Sequence, residues 1–286
     1  MSTKSGKLFV VATPIGNLED ISPRAVSVLA SVKVIAAEDT RHSGRLLHHF
    51  GIATEILACH DHNERAVVDG LVARLMRGDD IALISDAGTP LLNDPGYRLV
   101  SQAHDQGIEV ISVPGPSAIT AALSVSGLPV NRFAFEGFLP EKSAARRSLL
   151  QQLARESRTL VFFETPHRIE SALQDLVIEF GSGRRATIAR ELTKRYETVR
   201  RDTLAGLLDW IRNDAEQHQG EFVLVIEGAT TAPSLDDKAL QHMLSTLLKH
   251  LSVKDAATVA AELTGRSRKE LYALALALRE PATYHL

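Results

Sequence analysis

The chain has little of several things. It carries one cysteine, Cys59, in 286 residues. One thiol cannot close an intramolecular disulfide, and the missing framework fits a reducing compartment, so a cytoplasmic location is expected. No apolar run is long enough to cross a bilayer. The polar start Met1 to Lys7 leads only into Leu8 to Ala12, too brief for the apolar core of a secretory signal. Aromatic residues make up 5%, with Trp210 the only tryptophan, so a base-stacking platform is not evident. The net charge of −3 argues against a chain that coats nucleic acid generally. Neither Gly-x-Gly-x-x-Gly after the first strand nor Gly-x-x-x-x-Gly-Lys-Ser/Thr is present, which argues against a pyrophosphate cradle. Cys59-His60-Asp61-His62, with Glu64 nearby, matches no standard zinc spacing, and no metal is expected. An RNA-facing loop that enters a helix, capped by Asn63 or Asp61, is the better reading.

What is present describes a globular protein with 44% apolar and 23% charged residues. The length implies more than one domain. Leu8 to Ala12, Val32 to Ala37, Ile81 to Ser85 and Ile108 to Val113 are short apolar runs bounded by Gly, Pro or Asp, the mark of strands covered on both faces. Helical patterns over Pro23 to Leu29 and His62 to Met76 lie between them, which predicts a mainly parallel sheet. After a break near Gly127 to Asn131 a second α/β half begins. It has strands at Phe133 to Phe138, Thr159 to Phe163, Arg185 to Arg190 and Phe222 to Ile226. Its helices are expected at Ser143 to Arg155, His167 to Phe180 and Thr203 to Asn213. Thr230 to Ser234 looks like a linker. Helices are expected beyond it at Asp236 to Lys249, Val253 to Leu263 and Arg268 to Leu278, with Ser252 and Asp255 forming a capping box. The expected domains are 1–129, 130–229 and a helical segment 233–286. That segment is either a helix-turn-helix or a small bundle closing the second core.

Charge is uneven. From Lys142 to Arg201 there are 13 Lys and Arg against seven Asp and Glu. This is either a face for a polyanion or a solvated helical surface. The most telling stretches are Ser85-Asp86-Ala87-Gly88-Thr89-Pro90 and Pro114-Gly115-Pro116-Ser117-Ala118. Each follows an apolar run and precedes a helical pattern. Small residues at such turns let a ligand approach the main chain. Backbone amides and carbonyls, the Asp86 carboxylate and the Thr89 and Ser117 hydroxyls suit a zwitterionic amino-acid tail joined to an adenosine, as in S-adenosylmethionine.

Those two turns, with Val11-Ala12-Thr13-Pro14-Ile15-Gly16-Asn17-Leu18, Ala37-Glu38-Asp39-Thr40-Arg41 and Glu164-Thr165-Pro166-His167-Arg168, closely resemble the tetrapyrrole methylase superfamily. Arg190-Glu191-Leu192-Thr193-Lys194 and Ser267-Arg268-Lys269-Glu270-Leu271-Tyr272 extend the resemblance across nearly the whole chain, toward its 16S ribosomal RNA 2′-O-ribose methyltransferase I family. The resemblance implies two α/β domains with S-adenosylmethionine in the cleft between them, in a homodimer. It implies methylation of the ribose of a decoding-centre cytidine (cytidine 1402) in 16S ribosomal RNA, free or in the small ribosomal subunit. It also implies that Pro14, Asp86, Ala87, Thr89, Pro114, Ser117 and Ala118 line the cofactor, and that Gly88 and Gly115 let the backbone close on it.

A ribose hydroxyl needs its proton taken, and Glu38, Asp39, Glu164 and Glu191 are the candidate bases. Asp39 has a second reading as a helix cap neutralised by Arg41. Arg41, His167, Arg168, Arg184, Arg185 and Lys194 are the candidate RNA contacts, with Lys142, Arg146, Arg147, Arg195, Arg200 and Arg201 beside them. Two other readings stay open: a methylase acting on a tetrapyrrole, and a non-catalytic RNA-binding assembly factor.

Overall fold

The computed structural model describes residues 5–60, 63–229 and 237–279. The first half holds β1 (Lys7–Val11), α1 (Pro23–Ser31), β2 (Val34–Ala37), α2 (Thr40–His49), β3 (Glu55–Ala58), α3 (Glu64–Met76), β4 (Ile81–Ile84), α4 (Tyr97–Asp105), β5 (Glu109–Val113) and α5 (Ala118–Val125). Its sheet is parallel throughout, in the order β3-β2-β4-β1-β5. Alternation along the strands divides the apolar residues between two faces. Leu8, Val34, Ala36, Ile81 and Leu83 pack under α3 and α4. Val11, Ile35, Ala37, Ala82 and Ile84 pack under α1 and α2. This is why these strands read as unbroken apolar runs. The β3 strand was not anticipated, and the helical pattern expected after the Ser85 to Pro90 turn is α4. In β3, the short apolar run Ile56 to Cys59 follows exposed Glu55, and Leu57 is itself exposed.

The second half holds β6 (Phe133–Phe138), α6 (Ser143–Leu153), β7 (Thr159–Glu164), α7 (Ile169–Phe180), β8 (Arg185–Arg190), β9 (Thr198–Thr203), α8 (Leu204–Asn213) and β10 (Phe222–Ile226). Its sheet runs β6-β7-β10-β8-β9, parallel between β6 and β7 and antiparallel elsewhere. One face, with Leu160, Phe162, Ile188 and Leu224, is covered by α6, α7 and α8. The other face, with Val161, Ala189, Val223 and Val225, is covered by Ile119, Ala122 and Leu123 of α5. By sequence α5 belongs to the first half, yet its body packs on the second sheet.

The tail forms α9 (Asp237–Leu247), α10 (Val253–Thr264) and α11 (Arg268–Arg279). Ser252 caps α10 by accepting from the Asp255 amide at 3.2 Å. Gly265, with φ +66°, ends it in the left-handed region that glycine favours. Leu240, Leu244, Val253, Ala257, Ala260 and Leu271 form a core of their own. The tail therefore packs on itself and does not close the second half's core, which corrects the second of the two expectations for it. The Thr230 to Ser234 stretch lies outside the described residues.

Candidate functional site

Both small-residue turns sit at the carboxyl ends of parallel strands, where open α/β sheets take their ligands. The turn after β1 and the turn after β4 are paired to each other. Thr13 N–H donates to the Gly88 carbonyl at 2.8 Å, and Gly88 N–H donates back to the Thr13 carbonyl at 3.1 Å. Gly88 has φ +86°, and a Cβ there would lie 3.2 Å from Ile15 Cγ2. The Thr89 hydroxyl donates to the Pro116 carbonyl at 3.1 Å, tying in the turn after β5. Ser117 stands at the N-cap of α5, but its side chain makes no cap bond. Asp86 accepts from the Asp39 N–H at 3.1 Å, which joins the end of β4 to the end of β2.

These turns form one wall of a cleft of about 400 Å³. Asp86, Ala87, Gly88, Thr89, Ser117 and Ala118 line it, as the sequence led us to expect. The facing wall comes from the second half: Phe163 and Glu164 at the end of β7, Thr165 just after it, Leu192 after β8, and Phe222 of β10. Three expected residues do not line it. Pro14 is buried and faces a separate, smaller cavity. Pro114 is exposed outside the cleft. Gly115 is small for another reason: a Cβ there would lie 3.0 Å from Ala12 Cβ, so it admits the neighbouring strand end and not a ligand.

The sequence reading missed the segment Leu92, Asn93 and Asp94, which also lines the cleft. Leu91 and Asn93 hold φ values of +73° and +71°. Glu64 anchors this segment. Its buried carboxylate accepts from the Gly96 and Arg98 amides at 3.2 and 3.1 Å and pairs with the Arg98 guanidinium at 3.3 Å. The run Asn93-Asp94-Pro95-Gly96 was the available signal, since such residues mark a forced turn. Glu64 is thus a structural anchor. Neighbouring Cys59 is a buried thiol that burial, and then the Glu64 charge, push up to about 11. That opposes the deprotonation a metal ligand needs. Asp61 and His62 lie outside the described residues.

The four candidate bases separate by geometry. Glu38 lines the cleft at the end of β2. Asp39 caps α2, accepting from the Arg41 and His42 amides at 2.7 and 3.4 Å. The Arg41 amide, then its guanidinium, hold the Asp39 carboxyl below the usual range. Glu164 is buried in the facing wall. Its Oε1 accepts from the Thr165 amide at 2.7 Å and from Arg168 at 2.8 and 2.9 Å, while Oε2 has no partner among the described residues. Glu191 lies outside the cleft lining, at φ +51°. Burial works to raise it, but Lys194 at 2.8 Å and the Glu221 amide at 2.9 Å outweigh that and leave it lowered. Asp39 and Glu191 are thus each held by hydrogen bonds from neighbouring residues, whereas Glu38 and Glu164 line the cleft.

The basic run is consumed largely from within. Arg184 donates to the carbonyls of Ala154 and Glu227 at 2.8 and 3.1 Å and lies over the Phe180 ring; burial lowers its pKa. Arg168 is held by Glu164, and Lys194 bridges Glu191 and Glu221. Arg146 is 3% exposed and pairs with Asp175 at 2.7 Å, and Arg147 pairs with Glu179 at 2.6 Å. These bonds tie the second half together, and Arg184, Arg168 and Lys194 are each engaged within the chain. Arg185 and His167 remain exposed. Another cationic surface was overlooked. Helix α2 carries Arg41, His42, Arg45, His48 and His49 and no acidic residue, and all five are exposed.

Comparison with known proteins places this geometry in context. Residues 7–208 match the model of the Tetrapyrrole (Corrin/Porphyrin) Methylases, and residues 234–279 match the RsmI C-terminal HTH domain. The chain is 54% identical over 276 residues to the ribosomal RNA small subunit methyltransferase I of Pseudomonas aeruginosa, covering 95% of this chain and 97% of that one. It is 48% identical over 272 residues to the protein of the same name from Escherichia coli O157:H7, covering 95% of each. Among solved structures, the methyltransferase CobJ superposes with a TM-score of 0.58 at 19% identity, over 80% of this chain and 97% of that one. Diphthine synthase does so with 0.56 at 15%, over 78% and 90%. The structural likenesses bear on the fold alone. With matches that run through both sheets and the helical tail, the chain belongs to the tetrapyrrole methylase family, as a methyltransferase of the ribosomal RNA small subunit methyltransferase I group.

Proposed function

We propose that this protein transfers the methyl group of S-adenosylmethionine to the ribose 2′-hydroxyl of a decoding-centre cytidine in 16S ribosomal RNA, working as a cytoplasmic homodimer. The observation that carries the reading is the convergence of both small-residue turns on one cleft faced by Glu164 and Leu192. Its volume of about 400 Å³ suits a ligand of this size. The site offers main-chain groups at Ala87 and Gly88, the Asp86 carboxylate, and the hydroxyls of Thr89 and Ser117. The unpartnered Glu164 Oε2 adds a buried acceptor for a hydroxyl or ammonium donor. When bound, S-adenosylmethionine supplies an electrophilic methyl carbon on a cationic sulfur that departs neutral.

The chain contributes placement first. Holding two reactants in line is worth up to about 7–11 kcal/mol of barrier. Glu38, on the cleft wall at the end of β2, is our choice for the group that accepts the ribose proton, a contribution of about 10²–10⁴-fold. The α2 cations Arg41 and Arg45, with Arg185 and His167, bind the RNA backbone. Mass spectrometry of ribosomal RNA tests this directly. Cells lacking the protein should lack one ribose methyl group, restored by the wild-type chain and not by Asp86→Ala. Full methylation without the protein would refute the assignment.

A further inference from the structure

A cavity of about 220 Å³ lies against the cleft and shares Asp86 with it. Pro14, Leu18, His42, Ser43, Arg45 and Ser85 are among the other residues that line it. Two of these side chains are anomalous. Ser43 and Ser85 are each 2% exposed, and neither hydroxyl has a hydrogen-bond partner among the described residues. A serine inside a helix can bond the carbonyl three or four residues back, as Ser27 and Ser124 do. Ser43 does not, although its N–H takes the Asp39 carbonyl at 3.0 Å. Two buried polar groups left idle on one cavity wall mark a place where a ligand completes the bonding.

We infer that this cavity receives the target nucleotide of the RNA. The inference rests on the function proposed above and assigns its substrate subsite. The volume is of the order of one pyrimidine nucleoside. Pro14 and Leu18 offer apolar surface to a flat ring. The Ser43 and Ser85 hydroxyls, each both donor and acceptor, match the carbonyl and amino groups on a pyrimidine edge. His42 and Arg45 stand exposed at the rim, on the helix that carries no acidic residue, and Arg45 makes no ion pair among the described residues. They meet the flanking phosphates. Asp86 lies at the seam, so a nucleoside seated here has its sugar beside the methyl-donor cleft. Extrusion of one nucleotide into such a pocket is a common solution for enzymes acting on folded nucleic acid.

The test uses the full chain and small ribosomal subunits from a strain lacking this methyl group. Ser43→Ala, Ser85→Ala and the double variant are compared with wild type. Because these hydroxyls are idle in the free protein, the thermal midpoint should stay or rise. The dissociation constant of S-adenosylmethionine should hold within about 2-fold, while KM for subunits should rise about 2- to 12-fold per hydroxyl, the range for one neutral hydrogen bond. Arg45→Gln should weaken subunit binding and reduce its salt slope by about one phosphate contact. Unchanged KM in the double variant would overturn the inference. A parallel loss of S-adenosylmethionine affinity would also do so, by assigning the cavity to the cofactor. If wild-type protein methylates no subunits at all, the RNA reading itself fails, and this subsite with it.

Discussion

Gly88→Val separates the two physical jobs of the β4 turn. The backbone there sits at φ +86°. A side-chain-bearing residue in the left-handed region costs about 1–2 kcal/mol, and a β-branched one is the least tolerated. That strain is present with or without ligand, so it lowers the urea midpoint and cancels from the dissociation constant. The binding effect has a separate origin. The new Cβ would lie 3.2 Å from Ile15 Cγ2 and 4.0 Å from Ser117 Cα, so the added methyls enter the gap between the two turns. Overpacking of this kind costs about 1–3 kcal/mol. Where the added methyls take space in the cleft that the ligand needs, a cost of that size falls on the complex alone and weakens S-adenosylmethionine binding by about 5- to 150-fold. Isothermal titration reads that change, and circular dichroism in urea reads the strain. Gly88→Ala serves as the control, with most of the strain and little of the obstruction. A folded Gly88→Val protein with wild-type affinity would refute the pocket assignment.

The second half offers sharper stability tests. Arg146→Ala leaves Asp175 buried and uncompensated and should cost about 3–5 kcal/mol in urea unfolding, with Arg146→Met/Asp175→Leu recovering most of it. Arg184→Ala removes two hydrogen bonds to part-buried carbonyls, each worth about 0.5–1.5 kcal/mol, and should lower stability by about 1–3 kcal/mol while leaving RNA affinity unchanged; a selective loss of RNA binding in a stable variant would contradict this. Glu156 is drawn down to about 2 by the Arg158 guanidinium and then the Arg158 amide. A depressed folded value means that its contribution is complete above the ordinary carboxylate range. That contribution is lost as pH falls from about 4.3 toward 2. The stability gap between wild type and Glu156→Gln should close across that window, and a gap constant from pH 6 to pH 2 would show that the pair does nothing.

The first sheet was legible because its strands are covered on both faces, and Val34–Ala37 and Ile81–Ile84 read as unbroken apolar runs. By the same logic β3 and β9 were not legible. In β9, Val199, Arg200 and Arg201 face outward and no apolar run marks it, while β3 offers only the short run Ile56 to Cys59 behind exposed Glu55. The turns around Gly88 and Ser117 were readable from glycine, proline and small-residue chemistry. The position of Gly115 against Ala12 was not, since it depends on the neighbouring strand. Charge was the least legible property. Counting cations from Lys142 to Arg201 could not reveal that Arg184 and Arg190 point at backbone carbonyls or that Arg146 is buried beside Asp175. Conversely, α2 has few cations by count, but none of its own acids faces them.

Helix α5 begins in the turn that lines the cleft and lies along its length on the second sheet. The joint between the two halves is therefore made of the ligand site itself. Any rocking of one half on the other must drag the Ser117–Ala118 end of that helix or strip Ile119, Ala122 and Leu123 from the sheet beneath. A guest that fills the cleft thus acts as a wedge in the hinge, and its arrival should be felt as rigidity far beyond the atoms it touches.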